Sequence, residues 1–206
     1  MEEITVDSTL QKAKARREGR VRTPWELPRW VEIGGKCYGI HSDYRDILEI
    51  FSYFEDPALS DALKWQIAVA LFYEQPIPDI HFGEAVTFLA DFLRGGQKVS
   101  ENPGPKLIDW QQDAAIIAAE VTKVAGQEIR AMPYVHWWTF LSWFHGIGEG
   151  RLSTLVRIRN KLYRGQSLEM WEREYYRAHK STVELKPRYS KQELEERQKL
   201  EALLGD

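Results

Sequence analysis

At 206 residues and 43% apolar content, the chain is long enough to bury its own core, and eight tryptophans exclude wholesale disorder. A net charge of −3 excludes a global attraction to nucleic acid or anionic lipid, so any such binding would have to be local. Cys37 is the single cysteine, which excludes an intramolecular disulfide, and the N-terminus lacks a basic stretch followed by an apolar run; a soluble intracellular protein is the expectation.

Residues 1–28 read as an extended basic arm outside the core. Lys12, Lys14, Arg16, Arg17, Arg20 and Arg22 stand against Glu18, a local charge of about +5. Pro24-Trp25-Glu26-Leu27-Pro28 is then punctuated by proline and extended, with Trp25 and Leu27 each needing a surface. The plain reading is a solvated tail pinned to its own fold by Trp25. The sharper one is an arm that reaches a neighbouring subunit or nucleic acid.

The core is expected over residues 29–180. Within 30–40, two short β runs flank Gly34-Gly35, a pair that supplies the positive φ angles of a two-residue hairpin. From there the period becomes helical. Ser42 is the expected cap of a helix carrying Tyr44, Ile47, Leu48, Phe51 and Phe54. Ser60 opens a second, with Leu63, Ile67, Ala70 and Leu71 backed by Trp65, Val69 and Phe72. Asp79 opens a third through Phe82, Val86, Leu89, Phe92 and Leu93, closed by Gly95-Gly96. Residues 95–108, rich in glycine and proline, read as a mobile linker inside the domain. Asp109 then caps a narrow, alanine-rich helix bearing Trp110, Ile117 and Val121, which suits close approach by the helix that follows.

That next helix, Met132–Gly148, holds three tryptophans. Pro133 suits its first position and Gly146 a left-handed end, with Trp137, Phe140, Phe144 and Ile147 on one stripe. It falls short of the ~20 residues of a membrane span and carries two histidines, so it reads as a buried core helix. Arg151–Arg164 follows with five basic residues and no acid: Leu152, Leu155, Val156 and Leu162 inward, Arg157, Lys161 and Arg164 on an exposed face. Ser167 is the expected cap of a helix with Leu168, Trp171, Tyr175 and Ala178 inside. Residues 181–206 form a charged tail helix, begun by the capping box Ser190-x-x-Glu193 with Tyr189 and Leu194 as staple. The fold class is therefore mainly α: a single helical domain with a short N-terminal β-hairpin, an extended N-terminal arm and a C-terminal charged helix.

The chemistry-bearing residues are few. Asp109 and Asp113, four apart, suggest with His136 or His145 a metal or acid–base site; a cap and a first-turn acid account for the two aspartates better, and no ligand spacing links the histidines. Gly146-Ile147-Gly148-Glu149-Gly150 follows a helix rather than a strand, so it terminates rather than cradles phosphate. No nucleophile motif surrounds Cys37. A non-enzymatic protein without cofactor or metal is expected. Arg157, Lys161 and Arg164 are the best candidates for an anionic partner, although basic side chains also cover helix flanks and pair with surface acids. Nucleic acid is disfavoured, because the aromatics read as buried rather than displayed for stacking.

Three pieces in order carry a family likeness: Val31-Glu-Ile-Gly-Gly-Lys-Cys-Tyr38 running into a helix with Asp43-Tyr-Arg45; Asp109-Trp-x-x-Asp113-Ala after the linker; and His136-Trp-Trp-x-Phe140 followed by Gly146 and Glu149. Over about residues 30–180 the chain resembles the tail-assembly-chaperone-like proteins of long-tailed phages and prophages of Gram-positive bacteria. The resemblance implies a small helical protein encoded just before the tape-measure protein. It would coat or chaperone the tape measure in the host bacterial cytoplasm until tail-tube subunits polymerise. Trp110, Asp113, His136, Trp137, Trp138, Phe140 and Gly146 carry over as structural positions rather than catalytic ones. The arm and the tail are longer than the resemblance covers. Trp25 and Leu27 then become candidate contacts for a tail protein or for a second copy in a homo-oligomer. The alternatives are a permanent tail or connector subunit of the virion and, third, a nucleic-acid-binding adaptor.

Overall fold

In the computed structural model the described residues are 25–97, 104–190, and Glu193, Glu195 and Glu196. The basic stretch before Trp25, the middle of the 95–108 linker and most of the tail helix, Leu194 included, lie outside them.

The hairpin forms as the Gly-Gly pair dictates. Strands β1 (Trp30–Ile33) and β2 (Lys36–Gly39) are antiparallel, with Val31 opposite Tyr38. Gly34 and Gly35 have φ of 56° and 77°, both in the left-handed region. One face buries Val31, Ile33 and Tyr38 on the helices, which is what rescues a two-stranded sheet from marginal stability.

Helix α1 (Tyr44–Phe54) buries Ile47 and Ile50 completely. Its cap is Asp43 rather than the expected Ser42: the Asp43 carboxylate accepts from Arg45 N at 2.9 Å. Ser42 is drawn instead to the Tyr134 hydroxyl, 2.8 Å away. Helix α2 (Asp61–Phe72) starts at Ser60 as expected. Its buried residues are Ala68, Val69 and Phe72, however, while Leu63 and Ala70 are exposed. A helix apolar on most sides gives little basis for choosing its inner stripe. Helix α3 (Phe82–Leu93) is led by a 3₁₀ turn at Asp79–His81 and packs Phe92 against Phe72 at a ring distance of 4.9 Å. Gly95 and Gly96 close it at φ of 69° and 73°.

Helix α4 (Ala114–Ala125) is preceded by a turn in which Asp109 accepts from Gln111 N and Gln112 N. Against it lies α5 (Trp137–His145), the tryptophan helix. The structure corrects both ends of that element. Pro133 lies outside the helix, which begins at Trp137 with His136 as its cap, because Val135 and Trp137 donate their N–H groups to Asp43 and Ser42 instead of starting a turn. Gly146 has φ −78°, an ordinary right-handed value. It is glycine for proximity: an added Cβ would stand 3.3 Å from Ser142 O, Trp143 O and Val124 Cγ1.

Helix α6 (Arg151–Tyr163) follows. It turns inward Leu152, Leu155, Ile158 and Arg159 and leaves Leu162 exposed, contrary to the expected stripe. Helix α7 (Met170–Ala178) is capped by Glu169 and Glu172 rather than Ser167, and the one-turn α8 (Lys180–Val183) ends with the fully buried Val183. The hairpin, α1 to α5 and Leu152 share one core; Leu155, Ile158 and Val183 make a smaller one beside it. Residues 182–188, grouped by sequence with the tail, are fastened to Asp109 and Gln112 in the turn ahead of α4 and to Arg159 of α6. Ser190 and Glu193 do form the reciprocal box, with Ser190 N to Glu193 Oε2 at 2.7 Å.

Candidate functional site

The aromatic family-like residues converge on one knot. Trp137 is fully buried and stacks on Phe140, while Trp110 meets Trp137, Phe140 and Phe144. The paired tryptophans have a specific task at their polar edges. Trp137 and Trp138 each donate an indole N–H, at 2.9 Å, to the carbonyls of Leu93 and Phe92. Both carbonyls lie in the last turn of α3, where the helical ladder ends; that of Phe92 also accepts from Gly95 N at 3.0 Å. Gly96 makes room, since a Cβ there would meet Trp138 Cη2 at 3.2 Å.

His136 joins two segments. Its Nδ1 accepts from Trp138 N at 3.0 Å, which leaves Nε2–H to donate to the Pro28 carbonyl at 2.9 Å. Only the neutral tautomer makes both bonds. Burial pushes its pKa below the usual value, offset in part by the Pro28 bond, and Arg29 lowers it further. Such a group leaves stability intact above the unfolded value of about 6.5 and costs stability as pH falls toward the folded pKa, where only the unfolded chain takes up the proton. The expected slope from this residue is at most about 1.4 kcal/mol per pH unit. Urea unfolding of wild type and His136→Asn across pH 5–8 checks it, and the variant should lose that share of the slope.

The two aspartates belong to a second knot. Asp113 and Arg159 form a bidentate pair, 2.6 and 2.9 Å, with side chains 0% and 5% exposed. The same guanidinium donates to the carbonyls of Leu107, Thr182 and Val183. Beside it Asp109 accepts from Arg188 and Lys106, and both cations also reach Glu55. Burial pushes the Asp109 carboxyl up, but the Gln112 N–H, Lys106 and the Gln111 N–H outweigh it and bring the pKa down to about 2. Gln112 completes the fastening through Glu184 O and Lys186 N. These charges are spent on fixing 182–188 to α4 and α6. Among the described residues no three His, Cys, Asp or Glu are grouped to hold a metal.

The α6 cations divide. Arg157 lies over the Trp171 ring and sits 3.3 Å from Glu172; Lys161 contacts Glu172 at 2.6 Å and Glu169 at 3.4 Å. Arg164 is exposed and donates to Asn160. Glu172, which the apolar pattern of α7 gives no reason to place inside, is fully buried, and the hydrogen bond from Lys161 holds its pKa below the usual carboxylate range against the opposing effect of burial. At the α6–α7 turn four large side chains face outward: Leu162, Trp171, Tyr163 at 70% exposure and Met170 at 78%. Trp25 is 94% exposed and Leu27 is exposed beside it.

Two of the surface clefts among the described residues have apolar linings exposed to solvent. The larger, about 720 Å³, lies between the end of α2 and the start of α3. A smaller one of about 340 Å³ adjoins Leu162 and Tyr163 over Leu107, Val183 and Leu185. No helix among the described residues is long and apolar enough to cross a membrane. Residues 25–185 match the family model described as Bacteriophage Gp15 protein. No curated protein and no solved structure matches the chain.

Proposed function

The chain belongs to the bacteriophage Gp15 protein family, and from that premise we propose that it is a non-enzymatic tail assembly protein that chaperones the tape-measure protein in the host cytoplasm. The observation that carries this reading is the outward-facing rim at the α6–α7 turn. Leu162 and Tyr163 at the end of α6 line a shallow cleft, Met170 and Trp171 are exposed at the start of α7 with Arg157 over the Trp171 ring, and Arg164 is exposed in the connection. A long amphipathic helix is recognised by such a surface through apolar side chains spaced a turn apart. Met170 adapts to differing stripes, because an unbranched thioether repacks at little cost. The buried charges at Asp113, Arg159 and Glu172 are engaged internally and keep the helices that present this rim in place.

A chaperone leaves once the tail tube has formed, whereas a tail or connector subunit stays. Quantitative mass spectrometry of purified particles and of the producing lysate distinguishes them. The proposal expects the chain in lysate, associated with the tape measure, and absent from mature particles; stoichiometric recovery from particles would replace it with the virion-subunit reading.

A further inference from the structure

The larger cleft and the exposed arm residues fit each other. Its apolar floor is made by Val69, Ala70, Ile77 and Phe82, and Glu74 and Asp79 are the charged residues lining it, with no basic residue among them. Neither carboxylate has an ion-pair partner among the described residues. Ile80, next to Asp79, is 86% exposed. Trp25 and Leu27 present an indole and an isobutyl group, and the sequence just before them, residues 12–22, carries about +5. An apolar knob behind a basic stretch is the complement of an apolar floor under an acidic rim.

The chain does not seat its own Trp25. Pro28 is buried, with its carbonyl held by His136, and three residues earlier the indole stands free in solvent. We propose that the cleft at the α2–α3 junction receives the Trp25–Leu27 segment of a second copy of this chain. The positive charge of the sequence that precedes the knob is then of the sign that complements Glu74 and Asp79. The contact is small, so a weak, salt-sensitive association is expected, and it gains strength only where several copies line up on one partner. The inference does not depend on the tape-measure reading.

The test is sedimentation velocity of the full chain over a concentration series, with Trp25→Ala and Ala70→Arg as variants. Both positions are exposed, so both variants should keep wild-type circular dichroism and melting. Each is expected to weaken self-association about tenfold or more, as loss of a buried aromatic anchor does, and higher salt should weaken the wild type in the same direction. Mixing the two variants is the decisive arm, since one retains the cleft and the other retains the arm. The mixture should associate more tightly than either variant alone. A wild-type chain that stays monomeric, a variant that self-associates as the wild type does, or a mixture no better than its components would overturn the proposal. A monomeric wild type that still binds the tape measure would overturn it and leave the functional reading standing.

Discussion

Arg159→Met is expected to lower the stability of the chain by about 3–5 kcal/mol, a large share of what a domain of this size has. The substitution leaves the Asp113 side chain buried with no opposing charge, and it removes the guanidinium donors to the carbonyls of Leu107, Thr182 and Val183, of which only Thr182 keeps another among the described residues, from Gln112 Nε2 at 3.4 Å. An exposed ion pair would be worth a fraction of this, because water would take over both partners. Here the side chains are 5% and 0% exposed, so water cannot. Asp113→Asn should also destabilise, since one arginine would lose its counter-charge in the same closed space. The two losses should not add: with both charges gone, the double variant should be less destabilised than the sum of the singles. Urea unfolding of the four proteins gives the coupling. Limited proteolysis adds a local readout, because an unfastened 182–188 segment should be cut early in Arg159→Met while the α1–α5 core persists. Additive losses, or an unchanged cleavage pattern, would mean that the pair is not the fastening described.

Trp137→Ala should have a comparable effect, about 3–5 kcal/mol, through the cavity left by a fully buried indole and the loss of its rings' contacts with Trp110, Phe140 and Phe51. Trp137→Phe separates the two roles of the side chain. It keeps much of the ring packing but leaves the Leu93 carbonyl at the end of α3 without its donor, for which about 1–3 kcal/mol is expected. Thermal and urea unfolding of both variants should therefore rank wild type, phenylalanine, alanine in falling stability. If phenylalanine were as stable as the wild type, the indole N–H would contribute nothing and the capping account of the paired tryptophans would fail.

The features legible in the sequence are those with local causes. Gly34-Gly35 marks the hairpin because only that pair's backbone freedom suits the turn, and Ser60 marks the start of α2 because its hydroxyl reaches an N–H three residues on. The mainly α architecture with a short hairpin follows from the helical period after residue 42. What was not legible depends on partners distant in sequence. Asp43 displaces Ser42 as a cap, and Pro133 falls outside α5, for one reason: the ends of α1 and α5 exchange hydrogen bonds across 92 positions. Arg159 reads as one of five surface cations until Asp113, 46 residues earlier, is placed opposite it. Glu172 is a similar case. Its i+3 relation to Glu169 signals a cap, but nothing local says that Lys161 and Arg157 will cover it. For the residues of the family-like motif, the local pattern identifies a buried helix. The identity of the residues becomes intelligible only with α3 present, whose final carbonyls accept from the two indoles.

The role proposed for this scaffold is to present the exposed side chains of the α6–α7 turn to a long helical partner. Co-expression of the full chain with the tape-measure protein, followed by measurement of how much tape measure remains soluble and of the mass of the recovered complex, tests it most directly. A soluble complex with several copies of the chain per tape measure is expected. Tyr163→Glu with Met170→Glu, both at exposed positions, is expected to lose the complex while keeping the wild-type melting temperature. A tape measure that stays insoluble beside a well-folded wild-type chain, or a complex indifferent to the two glutamates, would contradict it.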